Sequence, residues 1–267
     1  TIVAAIAVIP IVIVIAFLVI NGIEAISWEF FTQPPRNGMT EGGIMPAIVG
    51  TVLLTLGTAI AAIPLGVGAA IYLAEYARDT RLTRMIRLAI VNLAGIPSIV
   101  YGLFGLGVFV LFLDMGTSII AGSLTLGIMT LPVVISTSEE AILAVPQEFR
   151  LVSLSLGATR WQTIRNQVMP QALPGIITGV ILGLGRAAGE TAPILFTVAA
   201  FYLPELPKSI FDQTMALPYH LYVISTQVPG MPVSIQYGTA LVLLFLVLSL
   251  TLLASVLRTI MRRRREW

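Results

Sequence analysis

The sequence has no cysteine, a single histidine, His220, and charge on only 10% of its 267 residues. Without thiols there are no disulfides, thiolate metal sites or cysteine nucleophiles. One imidazole excludes a histidine-rich metal centre, so neither a metal nor any other cofactor is expected. The chain holds no G-x-x-x-x-G-K-[ST] motif, so it has no phosphate-binding loop with which to hydrolyse ATP itself. It also lacks H-E-x-x-H, and an intramembrane enzyme would have no catalytic set to work with. A net charge of +2 is too small to bind nucleic acid electrostatically. Soluble domains carry about 25% charged residues, and a globule this poor in charge could not cover its surface. Disorder needs low hydrophobicity and high charge, and both are absent.

What is present is apolar: 57% of the residues, with a mean hydropathy of +0.97. An all-α integral membrane protein follows. A helix crosses a bilayer with about 20 largely apolar residues. Six runs qualify: residues 1–21, 47–74, 88–113, 117–137, 175–201 and 238–257. The first is expected to be a retained span, because no basic stretch precedes it as one would in a signal peptide. The third is interrupted by Gly95-Ile96-Pro97, so the part before Pro97 reads as a separate short helix lying partly in the interface. Pro64, Pro97, Pro132 and Pro193 each predict a kink or break.

Arg and Lys set the orientation. Twelve of the fifteen basic residues fall on one side: Arg78, Arg81, Arg84 and Arg87, then Arg150, Arg160 and Arg165, then Arg258 and Arg262 to Arg265. Only Arg36 and Lys208 fall on the other. Both termini and the 138–170 loop are therefore expected in the cytoplasm, and the Pro-rich 202–235 loop outside. That outer loop reads either as a lid or binding-protein contact, or as a semi-rigid connector.

The remaining basic residue, Arg186, lies inside the fifth span, four residues before Glu190. A charge at the bilayer centre costs at least about 2.5–3.5 kcal/mol and normally faces a bundle interior or an aqueous path. Two readings stay open. The pair is a salt bridge that locks helix packing, or Arg186 faces a polar path and meets an anion. A guanidinium suits the second role because it stays charged and can fork onto phosphate-type oxygens. Glu190 would then orient or screen it. The same helix carries Gly175, Gly179 and Gly183 at four-residue spacing, which suits close helix packing or a bare backbone surface for a moving substrate.

The 138–170 loop has a grammar of its own. An amphipathic helix over 147–156 places Phe149, Val152 and Leu156 on one face, and Gly157 suits its C-terminal cap. Thr159 and Gln162 form the capping box of a second helix, residues 160–168. This helix–Gly turn–helix is either a structured connector or a docking element for a cytoplasmic partner.

The loop resembles the EAA loop of ABC importer permeases, keeping its Gly at Gly157 and its terminal Pro at Pro170. It departs from that pattern at Leu151, Val152 and Ser153, and at Gln167 and Met169. Further segments resemble phosphate-transport permeases of the PstA type, over about residues 42–200. They are residues 42–51, Gly95-Ile96-Pro97-Ser98-Ile99-Val100-Tyr101-Gly102, residues 156–164, and the most specific, Arg186-Ala187-Ala188-Gly189-Glu190-Thr191-Ala192-Pro193.

The resemblance implies a type I ABC importer permease with the MetI-like fold, residues 1–267 forming one transmembrane domain in a bacterial inner membrane. It implies a homologous second permease subunit, two cytoplasmic ATPase subunits, an extracytoplasmic phosphate-binding protein and inorganic phosphate as substrate. The pathway residues would be Arg186, Glu190 and Thr191. The ATPase-coupling residues would be Gly157, Ala158, Thr159, Arg160 and Trp161. A permease for another oxyanion, such as phosphonate or sulfate, is the nearest alternative. A secondary anion transporter is more remote, since no internal repeat is evident.

Overall fold

The computed structural model describes residues 2–263, with side chains described for residues 8–260. Of the basic tail, Arg264 and Arg265 lie outside the described residues, as do the side chains of Arg262 and Arg263. In chain order, α1 (Ile2–Gly22) and the short α2 (Trp28–Thr32) lead through a two-stranded antiparallel ribbon, β1 (Pro35–Arg36) and β2 (Glu41–Gly42), into α3 (Met45–Ile71). Next come α4 (Arg81–Ala94), α5 (Ser98–Gly105), α6 (Ile119–Leu143), α7 (Gln147–Ser155) and α8 (Arg160–Thr163). The chain continues with α9 (Met169–Gly189), α10 (Ala192–Leu195), α11 (Leu217–Thr226) and α12 (Val233–Arg263).

Among the described residues, five helical stretches are long and apolar enough to cross a membrane, or six if the bent pair Arg81–Ala94 and Ser98–Phe112 counts as one span. The six expected spans fall within that range, but several boundaries shift. The fifth span does not run from 175 to 201. It begins in α8, passes through a π-turn at Ile164–Val168, and ends at Gly189. Glu190 is already extended (φ −78°, ψ 132°), and Pro193, which has no amide hydrogen to donate, restarts a single helical turn as α10.

The third span bends by 101° at the predicted Gly95-Ile96-Pro97 interruption. Its first half starts at Arg81, earlier than the hydropathy indicates, because the Thr80 hydroxyl caps the helix by accepting from the Thr83 amide. Pro64 and Pro132 lie inside helices that run on unbroken. Each removes one backbone hydrogen bond, whereas a full break in lipid would strand several.

α6 is the central column, packed between α3 and α9. The small residues decide how close these helices come. Gly175, Gly179 and Gly183 face Ala141, Thr137 and Thr130 of α6, and a methyl added at Gly179 would overlap the Thr137 side chain. The glycine stripe is thus a packing surface. Buried threonines at 51, 58, 125 and 130 return their hydroxyls to the carbonyl four residues back, which satisfies them without a partner helix. α1 lies at the periphery against α12, where Gly22 meets the Tyr237 backbone and Phe17 meets the Tyr237 ring edge-on at 5.4 Å.

Part of the 202–235 segment is buried, and part is exposed. Its residues Met215, Ala216, Leu217, Val223 and Ile224 are buried in the main core cluster with Leu54, Leu126 and Ile194. Its backbone also completes α6: the Ile119 and Ile120 amides, at the unpaired start of that helix, donate to the Asp212 and Ile210 carbonyls.

Candidate functional site

Arg186 sits in the last turn of α9, where a cation complements the partial negative charge of the helix end. Its Nε lies 3.2 Å from Glu190 Oε1, just past that end. The two side chains are unequally covered: Arg186 is 48% exposed and Glu190 19%. The pairing expected from the sequence is present, and it leaves much of the guanidinium open on one side. Thr191, half-buried, occupies the break between α9 and α10 beside Glu190, and its hydroxyl caps nothing.

Two broken spans meet here. α10 packs on α5, and Gly102 abuts the Ala192 carbonyl and Pro193. Tyr101, buried on α5, lies within electrostatic reach of Arg186. Its hydroxyl donates to the Leu93 carbonyl at 2.7 Å and so bridges the α4–α5 bend. Nothing in the Gly95-Ile96-Pro97 spacing announces that Tyr101 closes the bend. On its other side, Glu190 borders a small cavity with Thr51 and Thr55 of α3, lined also by Ala216 and Pro218 at the start of α11.

The second candidate region lies at the opposite end of the bundle. α7 ends in a full Schellman motif, with Gly157 at φ +83°. The Gly157 amide donates to the Leu154 carbonyl and the Ala158 amide to the Ser153 carbonyl. Thr159 then opens α8 with the predicted capping box: its amide donates to Gln162 Oε1 at 2.8 Å, and its hydroxyl accepts from the Gln162 amide. Residues 157–161 therefore form one rigid corner with two mutually reinforcing caps.

Around that corner the apolar residues point outward. Leu156 is 83% exposed, and Leu151, Val152, Leu154 and Trp161 are also exposed. An open cleft of about 430 Å³ runs between α7 and the α8 side, lined by Phe149, Val152, Leu156 and Gln162 among others. Exposed apolar groups gathered in this way suit contact with another protein or with the membrane surface. No group of three or more carboxylates and imidazoles that could hold a metal occurs among the described residues.

Comparison with known proteins fits this architecture. The family of binding-protein-dependent transport system inner membrane components matches residues 62–267. The chain is 35% identical to the probable ABC transporter permease protein YqgI of Bacillus subtilis, over 93% of this chain and 89% of that one. It is 34% identical to the phosphate transport system permease protein PstA 1 of Mycobacterium tuberculosis, over 98% and 85%. Identity to PstA of Mycobacterium leprae is 36%, over 97% and 86%.

Among solved structures, the inward-facing MetNI methionine ABC transporter superposes with a TM-score of 0.66 at 16% identity, covering 80% of this chain and 94% of that one. A bacterial ABC transporter that imports alginate gives 0.57 at 12%, covering 87% and 82%. These likenesses show the MetI-like fold. With a family match over most of its length and relatives above 30% identity along almost all of it, the chain belongs to the inner membrane components of binding-protein-dependent transport systems, the permease subunits of ABC importers.

Proposed function

We propose that the chain is one permease half of an ATP-driven importer of inorganic phosphate. The observation that carries the substrate class is Arg186: a permanently charged fork in a helix break within the membrane, satisfied on one side by Glu190 and open on the other. Such a group binds tetrahedral oxyanions through paired N–H···O bonds. Glu190 lowers the net charge of the site, so that a divalent anion is held and also released, and Thr191 offers a neutral hydroxyl beside it. The printed names of the mycobacterial relatives support phosphate over other oxyanions.

In this reading the whole chain is one transmembrane domain with both termini in the cytoplasm. The 157–161 corner, from Gly157 through Ala158, Thr159 and Arg160 to Trp161, docks one of two ATPase subunits. A second, homologous permease completes the path beside Arg186, and an extracytoplasmic binding protein delivers phosphate. ATP hydrolysis belongs to the partner subunits. Movement of the corner tilts α6 and α9, and the two broken spans switch access to Arg186.

The test is uptake of labelled phosphate by the reconstituted complex, competed with phosphonate and sulfate. Competition by phosphate alone, and loss of uptake in Arg186→Ala with subunit assembly intact, are expected. Preferential competition by sulfate or phosphonate would assign a different oxyanion, and normal uptake by Arg186→Ala would remove the residue from the path.

A further inference from the structure

The turn that follows α3, Tyr72–Tyr76, is wound as a π-turn with one residue more than an α-turn holds. Such turns often mark functional positions. Here three arginines, from three different elements, converge on its five residues.

Arg150 of α7 donates from Nε and Nη2 to Glu75 Oε1 at 3.0 and 2.7 Å. The same guanidinium reaches the end of α6 and the turn beyond it, with Nη2 2.9 Å from the Ile142 carbonyl oxygen and Nη1 2.6 Å from that of Val145. Arg87 of α4 donates from Nη2 to the Leu73 carbonyl at 3.1 Å and pairs with Glu139 of α6 at 2.7 Å. Arg160 of α8 stands over the Tyr76 ring, 5.2 Å from its centre. One turn thus touches α4, α7 and α8 directly, and α6 through the same arginines.

The Glu75–Arg150 pair differs from the surface pairs of this protein. Its side chains are 8% and 14% exposed, whereas those of Arg84 and Asp79 are 64% and 76% exposed. An exposed pair opens at little cost. Separating a buried pair leaves two desolvated charges, so α3 and α7 behave as one body. Arg87 extends that body to α4, which passes through the Gly95-Ile96-Pro97 bend into α5 and so to Tyr101, within electrostatic reach of Arg186.

We propose that Glu75 is a positioning residue for transport. It makes the π-turn after α3 the joint through which displacement of the 157–161 corner reaches the broken span at Arg186. The proposal rests on the reading of that corner as the ATPase-coupling element.

The experiment uses the assembled complex of permeases, ATPase subunits and binding protein in lipid vesicles. Glu75→Gln keeps the size and the acceptor oxygen and removes the charge; Arg150→Lys keeps the charge and loses the fork. In Glu75→Gln, the ATPase subunits are expected to co-purify in the wild-type ratio while phosphate taken up per ATP hydrolysed falls about tenfold, within ordinary coupling energies. Arg150→Lys should retain part of the coupling.

Because the chain has no cysteine, spin labels at Tyr72→Cys and Gln147→Cys report the α3–α7 spacing cleanly. That spacing should be the same in nucleotide-free and nucleotide-trapped wild type, and should differ between the two states in Glu75→Gln. Wild-type uptake per ATP in Glu75→Gln, an unchanged spacing in that variant, or loss of the ATPase subunits from it would each overturn the proposal. Failure of the coupling reading shows separately, as normal uptake by complexes carrying Gly157→Val, a result that does not touch the label distances.

Discussion

The Leu217 amide donates to the Thr51 hydroxyl at 2.8 Å, joining residues 166 positions apart. The same hydroxyl donates to the Ala47 carbonyl, so one threonine both satisfies its own helix and seats the start of α11 on α3. One residue earlier, Gly50 lies so close to the Met215 carbonyl that any side chain there would overlap it. The start of α11 is therefore built into the bundle beside the cavity that Glu190 borders.

Disturbing that junction should loosen the fold from the Glu190 side. Thr51→Val strands the buried Leu217 amide and should cost about 1–3 kcal/mol. Gly50→Ala overpacks the same contact by a comparable amount. Thermal unfolding in detergent checks both, with the largest loss of proteolytic protection expected in 202–235.

His220 lies on α11, outside the six spans, and its Nδ1 has no partner among the described residues. Burial lowers its pKa from 6.5 to about 4. Between those values the unfolded chain binds a proton that the folded protein does not. The stability is complete above pH 6.5 and drains away as pH falls towards 4, by up to about 3 kcal/mol. His220→Leu should flatten the melting temperature across that window. A pH dependence equal to the wild type's would assign it to other groups.

Gly157 has open space where a side chain would go, but its φ of +83° is unfavourable for any other residue. Gly157→Val should therefore cost about 1–2 kcal/mol through the backbone and unwind the corner. Thr159→Ala should cost about 1 kcal/mol through the lost cap. Both should weaken recovery of ATPase subunits on the purified permease, with the glycine variant the more severe.

Arg186→Ala should lower phosphate uptake by about 10–100-fold, the worth of a charge-assisted pair of hydrogen bonds. Glu190→Gln should act in the opposite sense on binding. With its screening charge removed, the anion should be held more tightly, and turnover should fall as the apparent affinity rises. Initial rates of uptake across a phosphate series separate the two effects.

Some of this was written locally. The six apolar runs, the bend at Gly95-Ile96-Pro97, the Gly157 turn and the Thr159–Gln162 box each depend on residues within a few positions of one another. All four are in the structure. Arg186 stands out in the sequence because every other basic residue falls outside the six apolar runs. Less legible are the features in which a local rule competes with packing. Of the kink or break that Pro64 and Pro132 allow, neither is a break, and the apolar residues of 215–224, too few to span, turn inward.

The sequence by itself determined a charge-poor, multi-span helical membrane protein, and it singled out Arg186 and the 157–161 corner, because hydropathy and capping act over a turn or two of chain. Only the tertiary structure decided what those features touch. Glu75 and Arg150 are 75 residues apart, and Thr51 and Leu217 are 166 apart. Nothing in the residues between them specifies either pairing. Such contacts form when the helices have packed and buried polar groups must find partners across the bundle, so the joint after α3 and the junction beside the Glu190 cavity exist only in the fold.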